Sequence, residues 1–175
     1  RENSREYRQA FGGYFSFLYD REELSSHEAQ VYKHHLAWLQ KVEKESMTKS
    51  YKMVVLQYML DKGPSQWYKS ITPEEVAPYF HEFYMAKEYR KRIDFSNSNT
   101  KRLWEYDEAK VAQLIARMPM DKWMDNDKDL LLFKDGEFFI NFKIANEDEE
   151  ILHEMTQQIC EYRLNFYFER KGYKR

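Results

Sequence analysis

The sequence predicts a mainly α-helical fold with one small β-hairpin, an α+β arrangement in which flanking helices cover a helical core. Three observations predict it. Apolar residues recur at helical spacing over most of the chain. Two strong helix-start signatures, Ser25-Ser26-His27-Glu28 and Thr72-Pro73-Glu74-Glu75, punctuate it. A single Asp-Gly pair, Asp135-Gly136, stands between two β-prone runs.

Residues 5–19 read as a helix interrupted by Gly12-Gly13, because a glycine inside a helix costs about 1 kcal/mol against alanine. Ser25 and Glu28 form a capping box, and the helix behind them is expected to run to Ser46 with Val31, Leu36, Leu39 and Val42 on its apolar side. Residues 50–61 are apolar around most of the circumference, which marks a central, buried helix. Lys62-Gly63-Pro64-Ser65 ends it, and residues 67–71 read as a short strand. Thr72 caps the next helix, expected to continue through Val76, Phe80, Phe83 and Tyr84 to Arg92. Residues 94–100 read as a loop, and Asp107 caps a short helix ending near Pro119.

Leu130–Phe133 and Glu137–Ile144 then form a hairpin, since Asp-Gly suits a type I′ turn with positive φ at both central positions. In its second arm Phe138, Ile140, Phe142 and Ile144 alternate with the opposite face. Asn146 to Glu149 caps a long last helix whose Leu152, Met155, Ile159, Tyr162 and Phe166 make one apolar stripe. From Tyr51 the order helix, strand, helix, helix, hairpin is that of a winged-helix core with flanking helices. Residues 1–47 are expected to pack on the core, 48–145 to form it, and 146–175 to add the long C-terminal helix, together one compact domain.

Composition supports a packed core. Of 175 residues, 42% are apolar and 17% aromatic, far from the profile of a disordered chain. One cysteine, Cys160, excludes an internal disulfide framework and fits a reducing, cytoplasmic setting as a buried thiol. No apolar run is long enough to span a membrane, so no membrane partner is expected. Arg1 opens the sequence without Met or a signal peptide, which reads as a piece of something longer. Net charge is −2, so the chain as a whole is not drawn to nucleic acid. The charge is uneven, however: between Lys87 and Arg102 six cations stand against Glu88 and Asp94.

The motifs of catalysis fail at named positions. There is no Gly-x-x-x-x-Gly-Lys phosphate loop and no Gly-x-Gly-x-x-Gly turn. Asp107-Glu108-Ala109-Lys110 shares three residues with an ATPase DEAD box, but Leu103-Trp104-Glu105-Tyr106 before it is not a buried apolar strand. Helix capping is the better reading. Asp125-x-Asp127-x-Asp129 begins like a calcium loop, yet Leu130 replaces its glycine and Gly136 its last glutamate. His34 and His35 are adjacent, hence about 100° apart on a helix and poorly set to share a metal. Glu108-x-Lys110 and Asn141-x-Lys143 are the nearest approaches to a metal-dependent nuclease, and neither has a convincing acidic partner upstream. The segment is therefore read as non-enzymatic, without cofactor or metal.

Two basic elements remain as nucleic-acid candidates. Thr48, Lys49, Ser50 and Lys52 surround a helix start, where free amides, hydroxyls and ammonium groups suit a phosphate. Arg90, Lys91, Arg92, Lys101 and Arg102, interleaved with Tyr89, Phe95 and Trp104, suit a nucleic-acid backbone and a stacked base. Lys134 at the hairpin tip and Lys143 on its arm fit a wing that grips phosphate.

Met47-Thr48-Lys49-Ser50-Tyr51-Lys52-Met53-Val54-Val55-Leu56 resembles a segment in the C-terminal regions of large bacterial superfamily II helicases of the DEAD/DEAH type. Glu161-Tyr162-Arg163-Leu164-x-x-Tyr167-Phe168-x-Arg170 looks like the terminus of such chains, and Gly13-Tyr14-Phe15-Ser16-Phe17-Leu18 fits the same picture. The resemblance covers about the first third and the last tenth of the chain. It implies an accessory region following two motor lobes, in DNA repair, restriction or phage defence, with DNA and the motor lobes as partners. Protein docking or self-association is the alternative expectation, and a degenerate nuclease a minor one.

Overall fold

The computed structural model describes residues 13–172. The expected helix start over residues 5–12 lies outside them. Helix α1, Tyr14–Asp20, begins directly after Gly13, where the glycine interruption was expected. Gly13 is needed there by contact: a Cβ would stand 2.1 Å from the Glu43 carboxylate, which accepts the Tyr14 amide.

The Ser25–Glu28 capping box forms, but the helix behind it is two helices, α2 (Ser26–His34) and α3 (Leu36–Lys44). The break falls at His35, whose φ of −111° and ψ of 29° leave the helical region. Helix α4, Tyr51–Leu60, is buried on almost every side, as its all-round apolar sequence requires. The expected strand before Thr72 shrinks to one residue. Ile71 exchanges two backbone hydrogen bonds of 2.9 Å with Phe138, and Tyr68 O takes a third from Ile140.

The second capping box, Thr72 with Glu75, opens α5, Pro73–Met85. That helix stops seven residues short of Arg92, because Lys87 is extended and starts α6, Glu88–Asp94. Arg90 closes the break by donating to Phe83 O at 2.9 Å while lying 3.9 Å over the Phe83 ring. The expected loop after Asp94 contains a further turn of helix, α7 (Ser98–Lys101), capped by Asn97 and continued by a 3-10 turn, Arg102–Trp104.

Asp107 caps α8, Glu108–Ile115, through the Lys110 amide. The helix does not end near Pro119. It widens into a π turn, Ala116–Met120, and resumes as α9, Asp121–Met124. Proline has no N–H to donate, and a π turn is one way for a helix to accommodate that loss. The hairpin pairs β1, Leu131–Lys134, with β2, Glu137–Ile140. Asp135 and Gly136 take φ of 53° and 80°, as a type I′ turn demands.

A 3-10 turn, Asn146–Asp148, leads into α10, Glu149–Arg170. Its stripe holds for Leu152, Met155 and Ile159 only; Tyr162 and Phe166 are half-buried and stack on each other at 5.9 Å. The core line passes instead through Cys160, Leu164, Tyr167 and Phe168. A strict 3-4 repeat drifts by about 20° per heptad on a straight helix, so over this length the buried face rotates away.

One continuous cluster of buried residues runs from Phe15 to Phe168. Trp38 is central to one half, with Trp67 and Trp123 at 5.9 and 6.0 Å. Tyr51, Phe80, Tyr84 and Phe95 form the other half, all mutual ring contacts falling between 4.9 and 6.2 Å. Among the described residues no helix is long and apolar enough to cross a membrane.

Candidate nucleic-acid interface

The structure separates the basic residues by whether an internal partner already holds them. At the start of α4, Ser50 is fully buried, with its amide and hydroxyl both donated to Asp94 and its hydroxyl 2.6 Å from Tyr84 OH. It is thus withdrawn from any solvent phosphate, which corrects its place in the expected binding set. Lys52 is 2.5 Å from Glu45, and Glu45 also holds Lys41, which reaches Asp127 at 2.6 Å. Burial alone would lower the Lys41 pKa, but its bonds to Asp127 and Glu45 prevail and raise it. Thr48 and Lys49 stay on the rim of a hollow of about 300 Å³ that also admits Lys122 and Asp125. Lys49 donates to Ile93 O at 3.4 Å.

The cluster on α6 is similarly engaged. Arg90 is bound to Phe83 as described. Lys91 and Arg92 both reach Glu88, at 3.4 and 2.9 Å, and Lys91 lies 4.7 Å over the Trp104 ring. The hydrogen bond from Arg92 is the main reason the Glu88 carboxyl is held below its usual range. Phe95 is fully buried, and Trp104 Nε1 donates to Phe95 O at 2.9 Å; the stacking rings expected here belong largely to the core.

Lys101 and Arg102 behave differently. Both are exposed, and their side chains make no ion pair or hydrogen bond among the described residues. Arg102 enters a cleft of about 230 Å³ together with Asn99, Thr100, Lys110, Gln113 and Arg117. Among the described residues no acidic side chain lines it. The cleft follows from two short elements. Asn97 Oδ1 caps α7 by accepting from the Asn99 and Thr100 amides, and Leu103 turns inward, so Arg102 is left facing out. On α8, Val111, Ala112, Leu114 and Ile115 are buried, which leaves Lys110 and Gln113 on the solvent face, with Arg117 exposed on the π turn that follows.

Lys110, Gln113 and Arg117 do not stand out in the sequence, because they form no run of adjacent cations. The signal that finds them is their i, i+3, i+7 spacing opposite the buried face of an amphipathic helix. Lys134 at the hairpin tip and Lys143 beyond β2 are exposed, and neither lines the cleft. Of the expected set, then, Arg102 alone enters it, with Lys101 beside it in sequence. Three comparisons with known proteins return nothing that matches this chain: no family model, no curated protein and no solved structure.

Proposed function

We propose that the chain is a nucleic-acid-binding accessory module that works through the cleft between α7 and α8. The observation that carries this reading is the set of three cations, Arg102, Lys110 and Arg117, sharing one cleft with no acidic lining and no side-chain partner among the described residues. An anionic backbone meets such cations without first breaking ion pairs, and counterion release supplies the favourable free energy. Asn99 and Gln113 in the same cleft are side chains that donate to and accept from bases or phosphates.

The position of α8 supports the reading. It precedes the hairpin, as a recognition helix precedes the wing, and Ile71 extends the hairpin as the short third strand of a winged helix does. The chain departs from that pattern by placing α6 and α7 between α5 and α8, where a helix-turn-helix has a turn of three to four residues. The resemblance of residues 47–56 and 161–170 to helicase C-terminal regions sets the module beside two motor lobes in a longer protein.

Fluorescence anisotropy with labelled single- and double-stranded DNA, across a range of salt, tests the proposal. Affinity is expected to fall steeply with salt, and the triple substitution Arg102→Glu, Lys110→Glu, Arg117→Glu to weaken it at least ~10-fold and flatten the salt slope. Absence of binding at low salt, or a triple variant that binds like the parent, overturns it in favour of protein docking.

A further inference from the structure

Outside the cleft, three of the chain's five histidines meet one aspartate. The break at His35 is the cause. On an unbroken helix the His34 and His35 rings would diverge by about 100°. Here their centroids are 4.7 Å apart. Asp148 reaches them from the turn before α10, although 114 positions separate it from His34 in the sequence. One ring nitrogen of each histidine and a carboxylate oxygen of Asp148 all lie within 4.8 Å of one another.

Two further observations point to a ligand. His35 is 6% exposed, packed on Phe142 at 5.4 Å, and its Nε2 has no hydrogen-bond partner among the described residues. A buried polar nitrogen is rarely left so. Asp148 occupies the N-cap position of α10, yet its side chain accepts none of the helix's amides. Its carboxylate turns towards the histidines, and Oδ1 is 3.0 Å from His27 Nε2.

We propose that His34, His35 and Asp148 bind a divalent transition metal, Zn²⁺ being the best fit, with His27 orienting the carboxylate. Two imidazoles and one carboxylate are a ligand set of transition metals, whereas Ca²⁺ and Mg²⁺ favour oxygen alone. Bonds of about 2.1 Å in a tetrahedron set donor atoms about 3.4 Å apart, so the three groups close inward by about 1.4 Å at most. Three protein ligands leave a fourth position for water. His27 completes the arrangement as the outer partner that fixes a ligating carboxylate. The metal joins the α2–α3 elbow to the start of α10, a clasp between distant parts of the chain. The remaining histidines are committed elsewhere, His81 to Leu103 O at 2.8 Å and His153 to Leu60 O at 2.7 Å.

The test is titration of tag-free, chelator-stripped protein with Co²⁺, followed by its visible d–d absorption, and displacement by Zn²⁺. One equivalent is expected to bind, with a tetrahedral-type spectrum and a higher Tm in Zn²⁺. His34→Gln and Asp148→Asn are expected to lose at least ~10-fold in affinity, His27→Gln about 10-fold, and His81→Gln nothing. His35→Ala opens a void beside Phe142, so the solvent-side variants carry the test, each checked for native circular dichroism. The absence of saturable binding, or folded His34→Gln and Asp148→Asn proteins that bind like the parent, overturns the site.

Discussion

Asp94 is the residue on which the most local structure depends. It is fully buried, and its carboxylate accepts from the Ser50 amide at 3.0 Å, the Ser50 hydroxyl and the Tyr167 hydroxyl, while its carbonyl accepts from Tyr51 OH at 2.5 Å. It joins the end of α6 to the first turn of α4, whose partial positive charge favours the carboxylate. Asp94→Ala removes the acceptor and leaves those donors buried, so a loss of about 3–5 kcal/mol is expected in urea unfolding. A loss under about 1 kcal/mol would contradict this role. Arg163 does comparable work on α3: its guanidinium donates to the carbonyls of Val42, Glu43 and Glu45 at 2.8, 2.9 and 2.6 Å. These are carbonyls that a helix end leaves without partners. Arg163→Ala is expected to cost about 2–3 kcal/mol by the same measurement, more than the removal of an exposed arginine.

The elements themselves divide by how local their causes are. Both capping boxes and the hairpin turn were readable because each signal and its consequence lie within four residues. Thr72→Ala is expected to destabilise by about 1 kcal/mol, and Gly136→Ala by a similar amount, since an alanine Cβ disfavours the φ of 80° at that position. Thermal melts check both; a neutral Gly136→Ala would mean that the turn changes type. The α2–α3 break, the stop of α5 at Met85 and the π turn were not readable in this way. Contacts beyond the local signal take part in each: Phe142 on His35, Arg90 on the Phe83 carbonyl, and, beside the missing N–H of Pro119, the packing of α4 against residues 116–120.

For the whole molecule, the buried phenols predict how stability depends on pH. Tyr51, Tyr84 and Tyr167 surround Asp94, and burial first, then the nearby carboxylate, pushes each above the ordinary tyrosine value of 10.0. The folded state therefore holds these protons more tightly than the unfolded state does. The stabilisation is complete below pH 10 and is lost as pH rises through the folded values, so Tm should fall steeply above ~pH 10. Tyr167→Phe should make that decline shallower; an unchanged slope would remove Tyr167 from the group responsible. Cys160 is 1% exposed and donates to Met53 O at 3.2 Å, with burial raising its pKa, so thiol reagents should reach it only on unfolding.

Local pattern was enough for the helical class, the caps at Ser25, Thr72 and Asp107, the hairpin with its Asp-Gly turn, and the burial of α4 and Cys160. These follow from periodicity and from groups a few residues apart, which the chain cannot rearrange. The expected cap of α10 by residues 146–149, by contrast, makes no side-chain bond to its amides. Which charges remain available depends on how the chain folds as well as on pairs within one helix such as Arg92 with Glu88. Ser50, Lys52 and Arg90 read as part of a basic surface; Ser50 meets the distant Asp94, while Lys52 and Arg90 fold back on Glu45 and Phe83 O nearby in the chain. Arg102 and Arg117 are fifteen positions apart and share a cleft only because α7 and α8 fold together. His34, His35 and Asp148 meet because one helix breaks and another begins beside it. Convergence of groups so far apart in the chain is a long-range contact, and no local pattern in a sequence encodes it.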